Sequence, residues 1–387
     1  MTTRDTAVAP PQWIITGMGR GVRAGVGIGL GALAVPVGIG WFYSRVLLDT
    51  TIRPMFPERV LAADADAITL AAGGLALQPG TWGLRWPAGI ALLGPVRAAD
   101  RTGVVRPLLA GQRPPVGTRA MLDAAAFDPD PAARGLAFTE VDVVTPLGPC
   151  PAWFVPAGDD PGGTWAILVH GRGGPRREAL RVLPVLHALG LPALVVSYRN
   201  DPEAPASPDG HFHLGDTEWL DVEAAVAHAI AEGARQVVLV GWSMGAAIIG
   251  ALLSRSALAS RVAALVWDAP LVDWRATLRQ QARIRYLPPV LTALTTRFAG
   301  RRIGIDFDRF DLLAHPPSVR PPTLLIHTVG DTAVPVQPSR ALVAAAPALG
   351  WPMTYLEVPD AEHTAAWNAD PAAYEDAVTR FLRAVLP

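Results

Sequence analysis

The sequence predicts an α/β protein: a mostly parallel central sheet flanked by helices, with a helical lid insertion and a small N-terminal β-rich appendage. Three observations carry that reading. From about residue 138 onward, unbroken apolar runs ("WAILVHG", "LPALVVSYR", "QVVLVGWS", "VAALVWDAP", "PTLLIHTVGD") alternate with helical segments, as strands do when helices bury both faces of their sheet. The fifty or so residues between "VWDAP" and "PTLLIH" exceed an ordinary connection between sheet elements, which points to a helical lid over residues 271–320. Before residue 138, brief apolar runs are broken by Gly-Gly, Pro-Gly, Trp-Gly and Pro-Ala-Gly, the punctuation of hairpins.

Residues 1–50 form an N-terminal arm in which residues 24–43, "AGVGIGLGALAVPVGIGWFY", carry no charge. As a helix at about 1.5 Å per residue this stretch is about 30 Å long, the thickness of a bilayer core. Arg20 and Arg23 precede it, and Trp41, Tyr43 and Arg45 close it as interface anchors would. The reading is a single-pass membrane anchor with a membrane localisation. The alternatives are a cleaved secretory signal ending near Ala32-Leu33-Ala34, giving a secreted protein, or a buried or surface helix. Its six glycines and Pro36 make the span less apolar than a Leu-rich one.

Residues 51–137 are the β-rich appendage and a linker, "FDPDPAARG", over residues 127–135. Trp82, Leu84 and Trp86 alternate, so one face packs on the main domain or, as a second reading, faces a substrate. Residues 138–387 hold the α/β domain. A strand pair, "FTEVDVV" and "CPAWFVPA", opens it; helices are expected near 178–189, 216–232, from Met244, near 339–348 and near 372–385.

Composition removes several functions. The 33 basic residues are all Arg, scattered along a chain of net charge −1, so nucleic acid is not an expected partner. A single cysteine, Cys150, allows no intrachain disulfide and no cysteine zinc site. His211-Phe212-His213 has a metal-like spacing but no further His or Cys ligand nearby, and neither a metal nor another cofactor is expected.

Chemistry concentrates at Gly241-Trp242-Ser243-Met244-Gly245, between the strand "QVVLV" and the helix "AAIIGALL". A Gly-x-Ser-x-Gly can arise by chance in a Gly-rich chain; the strand before and helix after make it a nucleophile elbow, where a sharp turn leaves no room for side chains at the glycines. A serine hydroxyl needs a base, and the base an orienting acid. His315, His327 and His363 follow Ser243; His327 lies inside an apolar strand, whereas His363 stands in the loop "DAEHTAAW" after one. Asp331 in "GDTAVP" ends the preceding strand and is favoured as the acid over Asp268, which ends "VAALVWDAP". The turn His170-Gly171-Arg172-Gly173-Gly174 offers a donor to an oxyanion.

With "VHGRGG", "VGWSMG", "VGDTAVP" and "DAEH" in that order, residues from about 138 to 387 resemble the α/β-hydrolase superfamily, its serine esterase, lipase and peptidase-like branches. The resemblance implies a Ser243, Asp331, His363 triad, with the Arg172 and Met244 amides as the oxyanion hole. Trp242, Gly171 and Asp268 are expected to line the substrate. The expected activity is hydrolysis of a carboxylic ester through an acyl-enzyme, on a small-molecule or lipid-like acyl substrate. Peptide, amide or thioester cleavage, or a ligand-binding member without catalysis, are the alternatives. Arg279, Arg283, Arg285 and Arg297 of the lid are plainly read as a solvated face and, alternatively, as a greeting for an anionic substrate.

Overall fold

The computed structural model of the chain describes residues 31–51, 53–125, 128–158 and 163–386. Two sheets organise it. The N-terminal one comprises β1 (Glu58–Ala63), β2 (Ala67–Ala71), β3 (Trp82–Trp86), β4 (Gly89–Leu93), β5 (Ala98–Ala99), β6 (Gly103–Gly111) and β7 (Arg119–Asp123). Its order is β2-β1-β7-β3-β4-β6-β5, and an additional β2–β6 pairing joins the ends. The result is a closed, fully antiparallel barrel of β1, β2, β3, β4, β6 and β7. Closure leaves those six strands no open edge.

Trp82, Leu84 and Trp86 are packed with Val60, Ile68, Leu70 and Leu93, so their alternation reports the barrel's own core, a cluster that Ala361 and Ala365 of the main domain also join. One buried cation shares that interior. Arg106 donates to the carbonyls of Gly94, Ala76, Gln78 and Gly80, replacing the water its guanidinium loses with four loop acceptors.

Glu58 is the barrel's buried acid. Burial outweighs a hydrogen bond from the Leu75 amide and the charge of Arg119, and lifts its pKa to about 7. Since the folded-state pKa is raised, the folded chain holds an extra proton between the ordinary value and about 7, and stability falls as pH rises through that window. The wild-type barrel is expected to melt at a lower temperature at pH 8 than at pH 5, and Glu58→Gln to flatten that slope; calorimetry across pH checks it.

The second sheet holds β8 (Thr139–Thr145), β9 (Gly148–Val155), β10 (Thr164–Val169), β11 (Ala193–Val196), β12 (Gln236–Trp242), β13 (Val262–Asp268), β14 (Thr323–Thr328) and β15 (Met353–Val358). Its order is β15-β14-β13-β12-β10-β11-β9-β8. The pairings from β15 through β11 are parallel, and β9 adds to β11 and β8 to β9 antiparallel. Helices α2 (Leu183–Ala188), α3 (Trp219–Ala231), α4 (Met244–Arg255), α7 (Val336–Leu349), α8 (Ala366–Ala369) and α9 (Pro371–Val385) accompany the strands. Two hydrophobic clusters cover the sheet, one holding Val222, Ile248 and Leu252, the other Leu183, Val378 and Leu382. The expected helix near 178–189 is split by Pro184 into a 3₁₀ turn, Arg176–Arg181, and the short α2. Between β13 and β14 stand α5 (Trp274–Ile284) and α6 (Pro289–Ile303).

The helix ahead of the barrel, α1 (Gly31–Leu48), overturns an expectation. A membrane-spanning anchor over residues 24–43, with membrane localisation and association, does not stand: among the described residues no helix is long and apolar enough to cross a membrane. Residues 24–30 of that stretch lie outside the described residues. Gly40 has another use. A Cβ at Gly40 would come within 2.7 Å of Leu294 Cβ, so the small residue lets α1 lie close against α6. Trp41 meets Phe298 edge-on and carries the Arg302 guanidinium 3.8 Å from its ring centroid. Leu47 and Leu48 then enter the main core.

The expected linker over 127–135 begins at residue 127, outside the described residues. Its remainder is a 3₁₀ turn, Pro131–Arg134, capped by the Asp130 side chain and closed by Gly135 at φ 72°.

Candidate active site

Strand register sets the level of every candidate group. Trp242 on β12 is level with Asp268 on β13, and Asp268 with Ile326 on β14; Thr328, two residues further, is level with Val358 on β15. Ser243, Asp331 and His363 come just after these strand ends, so one edge of the parallel sheet receives all three.

At Ser243 the chain turns from strand to helix with φ 51° and ψ −114°, a left-handed conformation unusual for a residue with a side chain. The strain is held by neighbours. The Ser243 amide donates to the Asp268 carbonyl at 3.0 Å, and its carbonyl accepts from Leu271 and Ala246 at 3.1 Å each. A Cβ at Gly245 would sit 2.2 Å from the Val169 carbonyl oxygen, and one at Gly241 only 3.0 Å from the Ala246 nitrogen. Both glycines are therefore steric requirements of the elbow.

The turn after β10 lies against this elbow, a Cβ at Gly171 coming within 3.2 Å of Ser243 Cβ. Buried groups lock it. The Gly171 amide donates to Glu178 Oε2 at 2.8 Å. His170 bonds Asp201 through Nε2 and the Gly171 carbonyl through Nδ1, both at 2.8 Å, and stacks on Tyr198. Both ring nitrogens face acceptors, an arrangement that suits the doubly protonated ring. Burial alone would lower the His170 pKa, yet the Asp201 carboxylate more than offsets it and the net shift is upward. The Tyr198 hydroxyl donates to the Gly171 carbonyl at 2.9 Å.

Asp331 has its full complement of donors. Oδ1 accepts from the amides of Ala333 and Val334 at 2.8 and 2.7 Å. Oδ2 accepts from His363 Nδ1 at 2.7 Å and His327 Nε2 at 3.2 Å. Burial by itself would raise this carboxyl, but the two imidazoles and their hydrogen bonds win, and its pKa falls well below the usual carboxylate range. For His363, burial works downward and the adjacent Asp331 carboxylate upward; the carboxylate prevails and the pKa rises above its ordinary value. Glu362 ties the two loops together, accepting from the Thr332 amide, the Thr332 hydroxyl and the His363 amide. Glu178 and Asp268 both lie within electrostatic reach of His363.

Asp268 is otherwise placed. Its carbonyl supports the elbow, while neither carboxylate oxygen has a hydrogen bond of normal geometry among the described residues. Burial lifts its pKa to about 6; Arg181 and a nearby Tyr374 hydroxyl favour the anion, and Glu178 opposes it. Of the expected substrate-lining residues, Trp242 and Asp268 are each 1% exposed, and the Gly171 amide is engaged by Glu178. Met244 begins α4 and is fully buried. The Arg172 side chain turns away, toward the end of α1.

Comparison with known proteins bears on the fold. Residues 208–386 match the prolyl oligopeptidase family, and residues 59–123 match a domain of unknown function, DUF8805. An esterase of Pyrococcus furiosus is similar in fold, with 20% identity over 68% of this chain and 96% of its own, TM-score 0.54. A second crystal form of that esterase gives 67% and 95% with TM-score 0.53. DcsB, solved with its substrate analogue, covers 65% of this chain and 99% of its own at 17% identity, TM-score 0.50. The chain has the α/β-hydrolase fold. No curated protein matches it.

Sequence reasoning missed the supports of this site. Arg181 Nη1 donates to the Thr364 carbonyl and, at 3.2 Å, to Asn368 Oδ1, and Nη2 lies 3.5 Å from Glu178 Oε1. It thus joins the histidine loop to the Gly171 turn. Asn368 in turn donates to the carbonyls of Thr81 and Ala124 and accepts from the Thr81 amide through its own carbonyl, fastening the barrel to the same loop. Nothing in the spacing of Glu178 or Arg181 marked them; Glu362, beside His363, is the one that adjacency could have found.

Proposed function

We propose that the protein is a serine hydrolase that cleaves a carboxylic ester. The observation that carries this is the hydrogen bond from His363 Nδ1 to a buried Asp331, at the sheet edge where strained Ser243 ends its strand. With Nδ1 donating to Asp331, Nε2 is left as the acceptor for the serine proton. Ser243 Oγ attacks the acyl carbonyl while His363 takes its proton; the amides of Arg172 and Met244 receive the developing oxyanion. The imidazolium then returns the proton to the departing alcohol, leaving an acyl-serine. Water, deprotonated by the same imidazole, attacks the acyl carbon; collapse releases the acid and restores Ser243. No metal or cofactor enters the scheme.

Residues 271–320, carrying α5 and α6, act as the lid over the hydrolase domain of residues 138–387, and residues 51–137 are the barrel and its linker. A crevice of about 50 Å³ between α1, α5 and α6 is bordered by Val46, Leu47, Leu278, Leu287 and Leu291, with Gln281 and Arg285 also on its wall. Gln280 and Gln281 of α5 donate to the carbonyls of Asp331, Thr332 and Ala333, keeping lid and acid loop together.

The match of residues 208–386 to the prolyl oligopeptidase family favours a second reading, cleavage of a peptide or amide bond. A panel of p-nitrophenyl esters, thioesters and p-nitroanilides, read with and without a serine-reactive fluorophosphonate, decides between them. Ester turnover abolished by the reagent is expected. Faster anilide than ester turnover would reverse the order of the two readings, and an unlabelled, inactive protein would remove both.

A further inference from the structure

We infer that the Arg172 side chain and the C-terminal carbonyls of α1 form a latch that positions the oxyanion turn, so that the N-terminal helix completes the active site. The inference rests on the proposed role of the Arg172 amide. Arg172 comes directly after Gly171, whose Cα lies against Ser243, yet its side chain runs the other way. Nη2 donates to the carbonyls of Leu47 at 2.8 Å, Asp49 at 3.0 Å and Val46 at 3.4 Å. These belong to the last turn of α1 and the residue beyond it, where carbonyls lack intrahelical donors and the helix dipole is negative. A guanidinium suits that end by geometry and by charge. Among the described residues Arg172 forms no carboxylate salt bridge within 4 Å. Its hydrogen-bonded acceptors are the helix carbonyls, and the Phe212 ring lies 4.8 Å from the guanidinium.

The helix end is a fixed post. The Phe212 amide donates to the Leu48 carbonyl at 3.0 Å, Asp49 bridges to His211, and Leu47 and Leu48 are buried in the main core. The start of the turn is held separately, by Glu178 on the Gly171 amide and by Tyr198 and His170 on the Gly171 carbonyl. Those contacts hold the peptide that enters Gly171 and the carbonyl end of the one that carries the Arg172 amide. Beyond Arg172 the chain continues as Gly173-Gly174, with Gly173 at φ 61°, a backbone free to relax. The latch fixes the nitrogen end of that peptide through Arg172 itself, ahead of the two glycines. Arg172 is thus a positioning residue, acting through its own backbone.

Arg172→Met keeps the amide and most of the side-chain length but removes every donor of the guanidinium. Complete loss of an oxyanion donor costs about 10²- to 10³-fold in kcat, so misplacement is expected to lower kcat roughly 10- to 100-fold with KM within about twofold. Phosphonylation of Ser243, which uses the same oxyanion site, should slow in parallel. Hydrogen exchange should quicken at residues 46–50. Arg172→Lys, able to donate to the same carbonyls, should recover part of kcat. A merely structural arginine would quicken exchange at α1 without moving kcat or the labelling rate, and that result overturns the inference. Should the Met variant fail to fold, Arg172→Gln, with one amide group, carries the same reading, and unchanged kcat and labelling there overturn it equally. Wild-type protein unlabelled at Ser243 would sink the hydrolase reading; labelled wild type with an equally labelled variant would sink the latch alone.

Discussion

Ser243→Ala is expected to lose roughly 10⁶-fold in ester turnover, the scale on which removing the nucleophile of a Ser-His-Asp unit acts, and to lose fluorophosphonate labelling altogether. The fold should persist. Ser243 holds its left-handed backbone through its own amide and carbonyl, bonded to Asp268, Leu271 and Ala246, and Ala leaves those bonds in place. A methyl also relieves the buried hydroxyl of any need for a partner. Melting temperature within a few degrees of wild type, with turnover at background, is therefore the expected pair of results. Retained turnover would mean that another group attacks, and retained labelling that the reagent reports a different serine.

The elbow was legible because its chemistry is local. Steric limits at Gly241 and Gly245 act within five residues, and the flanking strand and helix are written in the same short window. The hydrogen bond between Asp331 and His363 was inferable from chain order and strand ends, because parallel strands bring successive strand-end loops to one edge. Burial of arginine was not legible. Arg106, Arg172 and Arg181 look like any solvated arginine in sequence; each is desolvated by carbonyls from distant loops or helix ends, and the Arg181 neighbour Glu178 has no motif of its own. The barrel could be read as hairpins, but its closing β2–β6 pairing is nonlocal. The N-terminal helix misled for a related reason: Gly and Ala in a charge-free run satisfy a bilayer's length, and they satisfy close helix packing equally well. Gly40 against Leu294 shows the second use.

Asp331→Asn against Asp268→Asn is the sharpest comparison for the acid. Asp331→Asn should lower kcat about 10⁴-fold, since an amide in that place no longer enforces the tautomer with Nδ1 donating or stabilises the imidazolium. The residual activity should also change its pH dependence. In the wild type, Asp331 outweighs burial and raises the His363 pKa, so kcat/KM should climb with pH through a value above the ordinary histidine range. Without that carboxylate, burial is opposed only by weaker neighbours such as Glu362 and Glu178, and the limb should move to lower pH. Asp268→Asn should leave kcat within a few-fold and instead alter stability. The buried Asp268 carboxyl has its folded pKa raised to about 6, so the folded state loses stability as pH rises from the ordinary aspartate value through that point. Replacing it with a neutral amide should raise the melting temperature at pH 8 and make little difference near pH 4. Turnover lost at Asp268 and kept at Asp331 would transfer the acid to the neighbouring strand, and with it the orientation of the imidazole on which the proposed proton transfers depend.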